Sequence, residues 1–336
     1  MTPIDAYYAD PVFISKLIEH YYGKYINNDD LPKKLLYSID NSVSYDNLIR
    51  RFLIHNNREI PSDVSVNVSA GGSSLCVIAY YYAIYKIKGR NITVGSTIHP
   101  PYYLLHRQLA EQTGFCTWID DINVHVDVEV DVSPNNPDGR VQKPIGRGEY
   151  VLLDSIYDAY NFTGSIKSVN PWIDYNKKFC MISSLSKFGF AGARIGYYES
   201  SNPAIISSMQ YYMSNATLGT NTFAIESLKF TINKIHINSS FVKNVHKTLQ
   251  KRHKILKNIL PNHLIHSNNN VPFIFIKLPS SFFKELNILV RDGSQFAVSD
   301  SYSRVQLMIS DKNFDELVNR LKDSMKLREN KYLLEI

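Results

Sequence analysis

The sequence has few cysteines, and their arrangement fits neither a disulfide framework nor a zinc site. Its 336 residues include only Cys76, Cys116 and Cys180, which lie far apart and next to apolar residues. Disulfide-rich and zinc-binding domains use even or closely spaced sets of cysteines. We therefore expect three reduced, buried thiols in a cytoplasmic protein.

Long apolar runs and clusters of like charge are also missing. No apolar stretch approaches the roughly 20 residues that span a bilayer, and the first ten residues lack the pattern of a secretion signal. The 37 basic and 31 acidic residues leave a net charge of +6 without a basic stripe. We therefore expect a soluble intracellular protein with neither a nucleic-acid nor a membrane partner.

Helical and strand patterns alternate along most of the chain, and this predicts a mostly parallel sheet with crossover helices. The buried strands predicted for this sheet are 64–68, 92–95, 126–132, 150–153 and 179–183. A basic helical stretch then precedes a second set of strands, predicted at 273–278, 288–290 and 305–309. An amphipathic helix closes the chain.

These elements predict an α/β protein with two domains. We expect a three-layer α/β/α large domain over residues 46–239. The smaller α+β domain would combine residues 1–45, read as mostly helix and loop, with residues 240–336.

Two polar segments follow predicted strands, where an open parallel sheet places its ligand groups. Gly71-Gly72-Ser73-Ser74 separates a strand from an apolar helix, so its backbone amides suit an anion, although any strand-to-helix turn uses glycine. Ser133-Pro134-Asn135-Asn136-Pro137-Asp138-Gly139 is a turn-rich exit from the strand at 126–132. It also offers an amide side chain at the edge of the sheet.

Two charged residues follow the next two strands. Asp154 ends the strand at 150–153, with Tyr157 three residues on, and a carboxylate there requires a cationic partner. Lys187 follows the strand at 179–183 in a Ser- and Gly-rich turn that continues to Arg194. A partly desolvated amine in such a turn is a candidate Schiff-base former, whereas a surface lysine is the ordinary alternative.

In this order the four segments resemble the fold-type I pyridoxal-phosphate enzymes, the aspartate aminotransferase superfamily, and within it the alliinase and tryptophan–pyruvate aminotransferase branch. The resemblance runs from about residue 48 to 321. It implies that Lys187 holds pyridoxal 5'-phosphate as a Schiff base and moves the substrate α-proton. The expected contacts with the cofactor are Asp154 to the pyridine nitrogen, Asn136 and Tyr157 to the ring 3-oxygen, Tyr103 on the ring face, and Gly72, Ser73, Ser74, Ser184 and Arg194 to the phosphate.

Two positions depart from the family pattern. Arg194 follows Lys187 by seven residues instead of the usual eight, so either the turn is tighter or the arginine meets the phosphate differently. The family also binds the substrate carboxylate with an arginine on a late strand, and the best register places Gln306 there. Arg304 lies two residues earlier on the same face of the strand, so both are candidate substrate-binding residues. Arg291 is a further candidate, although a pair with Asp292 is the more ordinary role.

The resemblance implies an aminotransferase that passes an amino group from an amino acid or related amine to a 2-oxo acid. A lyase or cyclase on the same scaffold, which expels a β- or γ-substituent, is an alternative, and so is a non-catalytic binding protein. A homodimer is implied because active sites of the family lie at the subunit interface. Tyr7 and Tyr8 are the nearest candidates for a tyrosine lent by the partner.

Overall fold

The computed structural model describes residues 4–5, 47, 49–50, 60–157, 176, 178–188, 191–217, 219–220, 240–264 and 271–334. Outside the described residues lie Tyr7 and Tyr8 and nearly all of the segment 1–45 that was predicted as helix and loop. From that segment only β1, Ile4–Asp5, is described, and it pairs in parallel with a strand near the other end of the chain.

Seven strands form the larger sheet, in the order β2-β8-β7-β6-β5-β3-β4. They are β2 (Ser65–Ala70), β3 (Ile92–Ser96), β4 (Cys116–Trp118), β5 (Val126–Val132), β6 (Gly148–Asp154), β7 (Phe179–Ser184) and β8 (Ile195–Ser200). Strand β8 is antiparallel to both of its neighbours, β2 and β7, and the other pairs of this sheet are parallel. The α/β architecture with a mostly parallel sheet is therefore as the sequence predicts.

Helices α1 (Ser73–Lys88), α2 (Leu105–Thr113) and α3 (Pro203–Thr217) belong to the same part of the chain. The 16 residues of α1 are apolar almost all round because the helix lies between the sheet and α3. In α3, the spacing of four residues between Ile205, Met209 and Met213 places all three on the face buried against this core. Helix α1 ends at Gly89, which adopts a left-handed conformation with φ 64°.

A second core lies in the C-terminal part. Its elements are α4 (Ser240–Ile259), β9 (Phe273–Ile276), α5 (Ser280–Glu285), β10 (Ile288–Leu289), β11 (Arg291–Asp292), β12 (Ser303–Gln306) and α6 (Asp311–Leu334). Strands β11, β12 and β9 form an antiparallel three-stranded sheet in that order. No helix in the described part of the chain is long and apolar enough to cross a membrane.

Several boundaries differ from the sequence prediction. Strand β12 ends at Gln306 instead of continuing to Ile309, because the Gln306 side-chain oxygen accepts the backbone N–H groups of Leu307 (3.0 Å) and Met308 (3.3 Å). The predicted strands lacked β4, an edge strand of three residues, and β8, whose Gly196 and Glu199 interrupt any apolar run.

Candidate active site

Three neighbouring parallel strands bring the predicted residues to one edge of the large sheet. Val132, at the end of β5, pairs with Asp154 at the end of β6, and Asp154 pairs with Ile182 of β7. The segment with Asn136, the Asp154 carboxylate and the turn with Lys187 therefore leave the sheet side by side.

The loop between β2 and α1 forms an anion cradle with Arg194. The guanidinium Nη2 donates to the Gly71 carbonyl at 2.9 Å, and the Gly72 N–H donates to the Arg194 carbonyl at 2.8 Å. Gly72 has φ 73°, and a Cβ placed on it would lie 2.7 Å from Arg194 Nη2. Ser73 and Ser74 begin α1, whose first turn has no acidic residue and whose N-cap makes no side-chain hydrogen bond. Free amides and an adjacent arginine suit a phosphate group.

Close backbone packing supports this cradle from below. A Cβ on Gly196 of β8 would lie 2.5 Å from the Gly72 carbonyl carbon and 2.9 Å from the Ser73 nitrogen. Only a glycine at 196 therefore lets β8 approach the start of α1.

Lys187 lies on a short 3-10 helix, Leu185–Phe188, directly after β7. The fully buried Ser184 hydroxyl holds this turn: it accepts the Ser186 N–H at 3.0 Å, donates to the Ile195 carbonyl at 3.1 Å and lies 2.7 Å from Ser186 Oγ. The Lys187 amine lies 5.1 Å from the centroid of the Tyr157 ring. Lys187 and Tyr157 are thus brought together, whereas Ser184 is engaged within the turn itself.

Asp154 has a partner that the sequence analysis missed. Its Oδ2 lies 3.0 Å from His106 Nε2, and its Oδ1 accepts the Ile156 N–H at 3.1 Å. Both side chains are buried. His106 lies in the first turn of α2, three residues after Tyr103, and the two rings meet edge to face with centroids 6.4 Å apart. In the sequence, the position of His106 three residues after Tyr103 is the feature that links it to the predicted site.

Arg304 joins the C-terminal sheet to the loop after β5. Its Nη1 donates to Asn136 Oδ1 at 2.8 Å, and its guanidinium lies over the rings of Phe273 (4.9 Å) and Phe296 (5.4 Å). Burial lowers the pKa of Arg304 to about 10, so the group stays charged at neutral pH. Tyr157 packs edge-on against Phe273 with ring centroids 4.9 Å apart. Arg304 is thus brought to Asn136 and Tyr157, whereas the Gln306 side-chain oxygen accepts the backbone N–H groups of Leu307 and Met308.

A second arginine lies opposite Arg304. Arg291 on β11 is the direct cross-strand partner of Arg304. Burial raises the pKa of Tyr103, while the charges of Arg291 and Arg304 act to lower it. Asp292 is the next residue along the strand and projects to the other face.

The backbone amides and arginines of this site suit an anionic ligand. No cluster of three metal-binding side chains occurs in the residues that the structure describes. A phosphate cradle, a buried carboxylate and a lysine at the edge of a mostly parallel sheet define the fold-type I class of pyridoxal-phosphate enzymes.

Comparison with known proteins gives the family. Residues 132–321 match the model of "Aminotransferase class I and II", more than half of the chain, and the protein belongs to this family. A Staphylococcus aureus aminotransferase has the same fold, with a TM-score of 0.74 at 17% identity over 97% of this chain and 95% of that one.

Two curated relatives match in part. Tryptophan aminotransferase-related protein 3 of Arabidopsis thaliana is 24% identical over 263 residues, 66% of this chain and 56% of that protein. Histidinol-phosphate aminotransferase 2 of Archaeoglobus fulgidus is 39% identical over 71 residues, 19% of this chain and 20% of that protein. The chain therefore spans little more than half of the first relative's length and a fifth of the second's.

Proposed function

We propose that the protein is an aminotransferase that uses pyridoxal 5'-phosphate, the cofactor of its family, to pass an amino group from an amino acid or related amine to a 2-oxo acid. The observation that carries the proposal is the convergence of Asn136, Asp154 and Lys187 at the ends of three adjacent strands. The anion cradle around Gly72 supports the cofactor assignment, since it has no room for a side chain and holds an arginine.

Each residue then has a proposed role. When bound, the cofactor supplies an electron sink for the carbon next to the amino group. Lys187 anchors it and carries the proton to and from that carbon. Asp154, held by His106, pairs with the pyridine nitrogen. The groups proposed around the rest of the cofactor are Tyr103 on the ring face, Asn136 and Tyr157 at the ring oxygen, and Gly72, Ser73, Ser74, Ser184 and Arg194 at the phosphate.

We propose that Arg304, and not Gln306, binds the substrate carboxylate. The charged fork of Arg304 already donates to Asn136 in the site, whereas the Gln306 oxygen is occupied by two backbone N–H groups. A guanidinium also gives a carboxylate two parallel charge-assisted hydrogen bonds, which an amide does not.

The cross-strand position of Arg291 favours a second candidate, an aminotransferase for substrates with a second anionic group such as a phosphate. Two like charges placed directly opposite repel each other, and an anion between them relieves the repulsion. The relative named histidinol-phosphate aminotransferase 2 fits this candidate. Arg291→Ala should raise the KM for donors with a second anionic group, such as O-phosphoserine, while the KM for neutral donors stays unchanged; an equal change for both would exclude this candidate.

The finer relationships also belong to the proposal. The Arabidopsis relative supports a place in the alliinase and tryptophan–pyruvate aminotransferase branch. We also propose that the protein is a cytoplasmic homodimer. Its large domain would comprise residues 46–239, and its small domain residues 1–45 and 240–336. Three free cysteines, two of them fully buried, support the cytoplasmic location.

An absorption titration of the cofactor-loaded protein tests the function. A panel of amino acids should bleach the visible band of lysine-bound cofactor, and a 2-oxo acid should restore it. Lys187→Ala should lack both the band and the activity. Release of ammonia or of a β- or γ-substituent, without transfer to the 2-oxo acid, would establish a lyase or cyclase instead. A band that no amine changes would indicate a non-catalytic protein.

A further inference from the structure

The loop after β5 is closed by its own backbone. The Asn135 N–H donates to the Arg140 carbonyl at 2.7 Å, and the Gly139 N–H donates to the Asn135 carbonyl at 2.8 Å. Asn136 lies within this closed loop, so its position depends on how the loop is held.

A buried ion pair fixes the loop further. The Asp138 side chain has no exposed surface, and its Oδ2 lies 2.5 Å from Arg140 Nε. Its Oδ1 accepts the Asn135 side-chain N–H at 2.8 Å and the Arg140 backbone N–H at 3.1 Å. A charged carboxylate is costly to bury unless it is paired with a cation or accepts hydrogen bonds. Arg140, 30% exposed, is the cation that the structure provides.

The side chains of Asn135 and Arg140 also contact the loop that leads to Tyr103, the tyrosine expected to stack on the cofactor ring. Asn135 Nδ2 donates to the Pro101 carbonyl at 3.0 Å, and Arg140 Nη2 lies 3.5 Å from the same oxygen. Pro101 precedes Tyr103 by two residues. The loop with Asn136 and the loop with Tyr103 are therefore joined through Asn135 and Arg140.

We propose that Arg140, paired with Asp138, is a positioning residue that holds Asn136 where its Oδ1 orients the Arg304 guanidinium for the substrate carboxylate. Asn136 follows Asn135 directly in the chain, so a change in the backbone of Asn135 moves the acceptor that Arg304 uses. Hydrogen bonds weaken steeply with misalignment. The inference rests on the proposed function, because it takes the substrate to be a carboxylate. Its test measures carboxylate binding and does not require turnover.

The test is the binding of hydrocinnamate, a simple carboxylate, to cofactor-loaded protein, measured by calorimetry without any turnover. Arg140→Ala should weaken this binding about tenfold, the size expected when one charge-assisted hydrogen bond is lost. The dissociation constant of the cofactor should change less than this, because Lys187 and the anion cradle around Gly72 bind it without contact to Arg140. Arg140→Lys keeps the charge but not the fork, so it should restore only part of the affinity. For the amino donor that the absorption titration identifies, Arg140→Ala should raise KM and change kcat little.

A double-mutant cycle separates positioning from general damage. If Arg140 acts through Asn136, then Arg140→Ala combined with Asn136→Ala should cost no more affinity than Asn136→Ala alone. Arg90→Ala is the matched control, because Arg90 forms a two-pronged ion pair with Asp127 at the other end of β5. It should leave carboxylate binding unchanged.

Unchanged hydrocinnamate binding in Arg140→Ala, or full additivity with Asn136→Ala, would overturn the proposal. Failure of the proposed function has a different signature, because wild-type protein would then bind hydrocinnamate but transfer no amino group. Wild-type protein that does not bind hydrocinnamate would overturn the assignment of Arg304 and, with it, the proposal.

Discussion

The guanidinium of Arg304 and the amide of Asn136 meet at 2.8 Å although 168 residues separate them in the chain. The contact joins the three-stranded sheet to the edge of the seven-stranded sheet. A substrate carboxylate at Arg304 is thereby placed beside the residues at the ends of β5, β6 and β7.

Substitutions on β12 should separate substrate binding from stability. Arg304→Lys loses the two-pronged donor, so the KM for amino acids should rise about 10- to 100-fold. Gln306→Ala should leave KM near the wild-type value. It should lower the free energy of unfolding by about 1 kcal/mol, because the Met308 N–H loses its acceptor, whereas the Leu307 N–H keeps the Pro272 carbonyl at 2.7 Å. Steady-state kinetics and urea unfolding measure the two effects, and the opposite assignment would show as a raised KM for Gln306→Ala.

Gly72→Ala should weaken cofactor binding. Its Cβ would meet Arg194 Nη2 at 2.7 Å and push the guanidinium out of the cradle, so the cofactor dissociation constant should rise at least about tenfold. Gly89→Ala is the matched control, since Gly89 also has positive φ but no atom within 4 Å of its Cβ position. Both variants should lose about 1 kcal/mol of stability. Equal cofactor affinity in the two variants would exclude the cradle.

His106→Phe should reduce turnover. Asp154 Oδ2 would lose its hydrogen-bond partner in a buried site, and losing a hydrogen bond to a charged group corresponds to a fall in kcat of about 10- to 100-fold. Arg107→Ala, on the same helix but bonded to the exposed Asp120 and Glu111, is the control and should keep its kcat. A fall of similar size in both variants would indicate damage to the helix instead.

Asp131→Asn should change how stability depends on pH. Burial, helped by the charges of Glu129 and Asp154, raises the pKa of Asp131 from 3.8 to about 8. The folded protein therefore binds an additional proton between these values, and its contribution to stability is present below pH 4 and lost as pH rises through 8. Wild type should lose up to ~1.4 kcal/mol per pH unit relative to the variant across this window. Urea unfolding at pH 5 and pH 8 measures the difference, and parallel pH profiles would contradict it.

Local patterns were enough to predict much of the fold. Strands β6 and β7 contain short apolar runs, whereas β2, β3 and β5 alternate valine or isoleucine with small or polar residues; all five form within two residues of their predicted limits. Such a pattern is absent from β8, whose buried Glu199 and Gly196 depend on neighbours that are brought together only by folding.

The same distinction applies to the site. Lys187, Asp154 and Asn136 follow strands directly, so the topology alone brings them together. The partner of Asp154 lies on another helix, 48 residues away, and the partner of Asn136 is Arg304. Neither contact has a local pattern. The sequence also left open whether Arg304 or Gln306 binds the substrate. The answer depends on where β12 ends, and there the Gln306 side chain accepts the N–H groups of the next two residues.

The contact between Gly196 and Gly72 divides the site into a part that can vary and a part that cannot. Because a Cβ on Gly196 would meet only main-chain atoms of Gly72 and Ser73, no nearby side chain can be shortened to admit a larger residue at position 196. Laboratory evolution toward a new donor should therefore leave the phosphate end untouched. The accepted changes should gather on β11, β12 and the loop after β5, where side chains form the walls of the site.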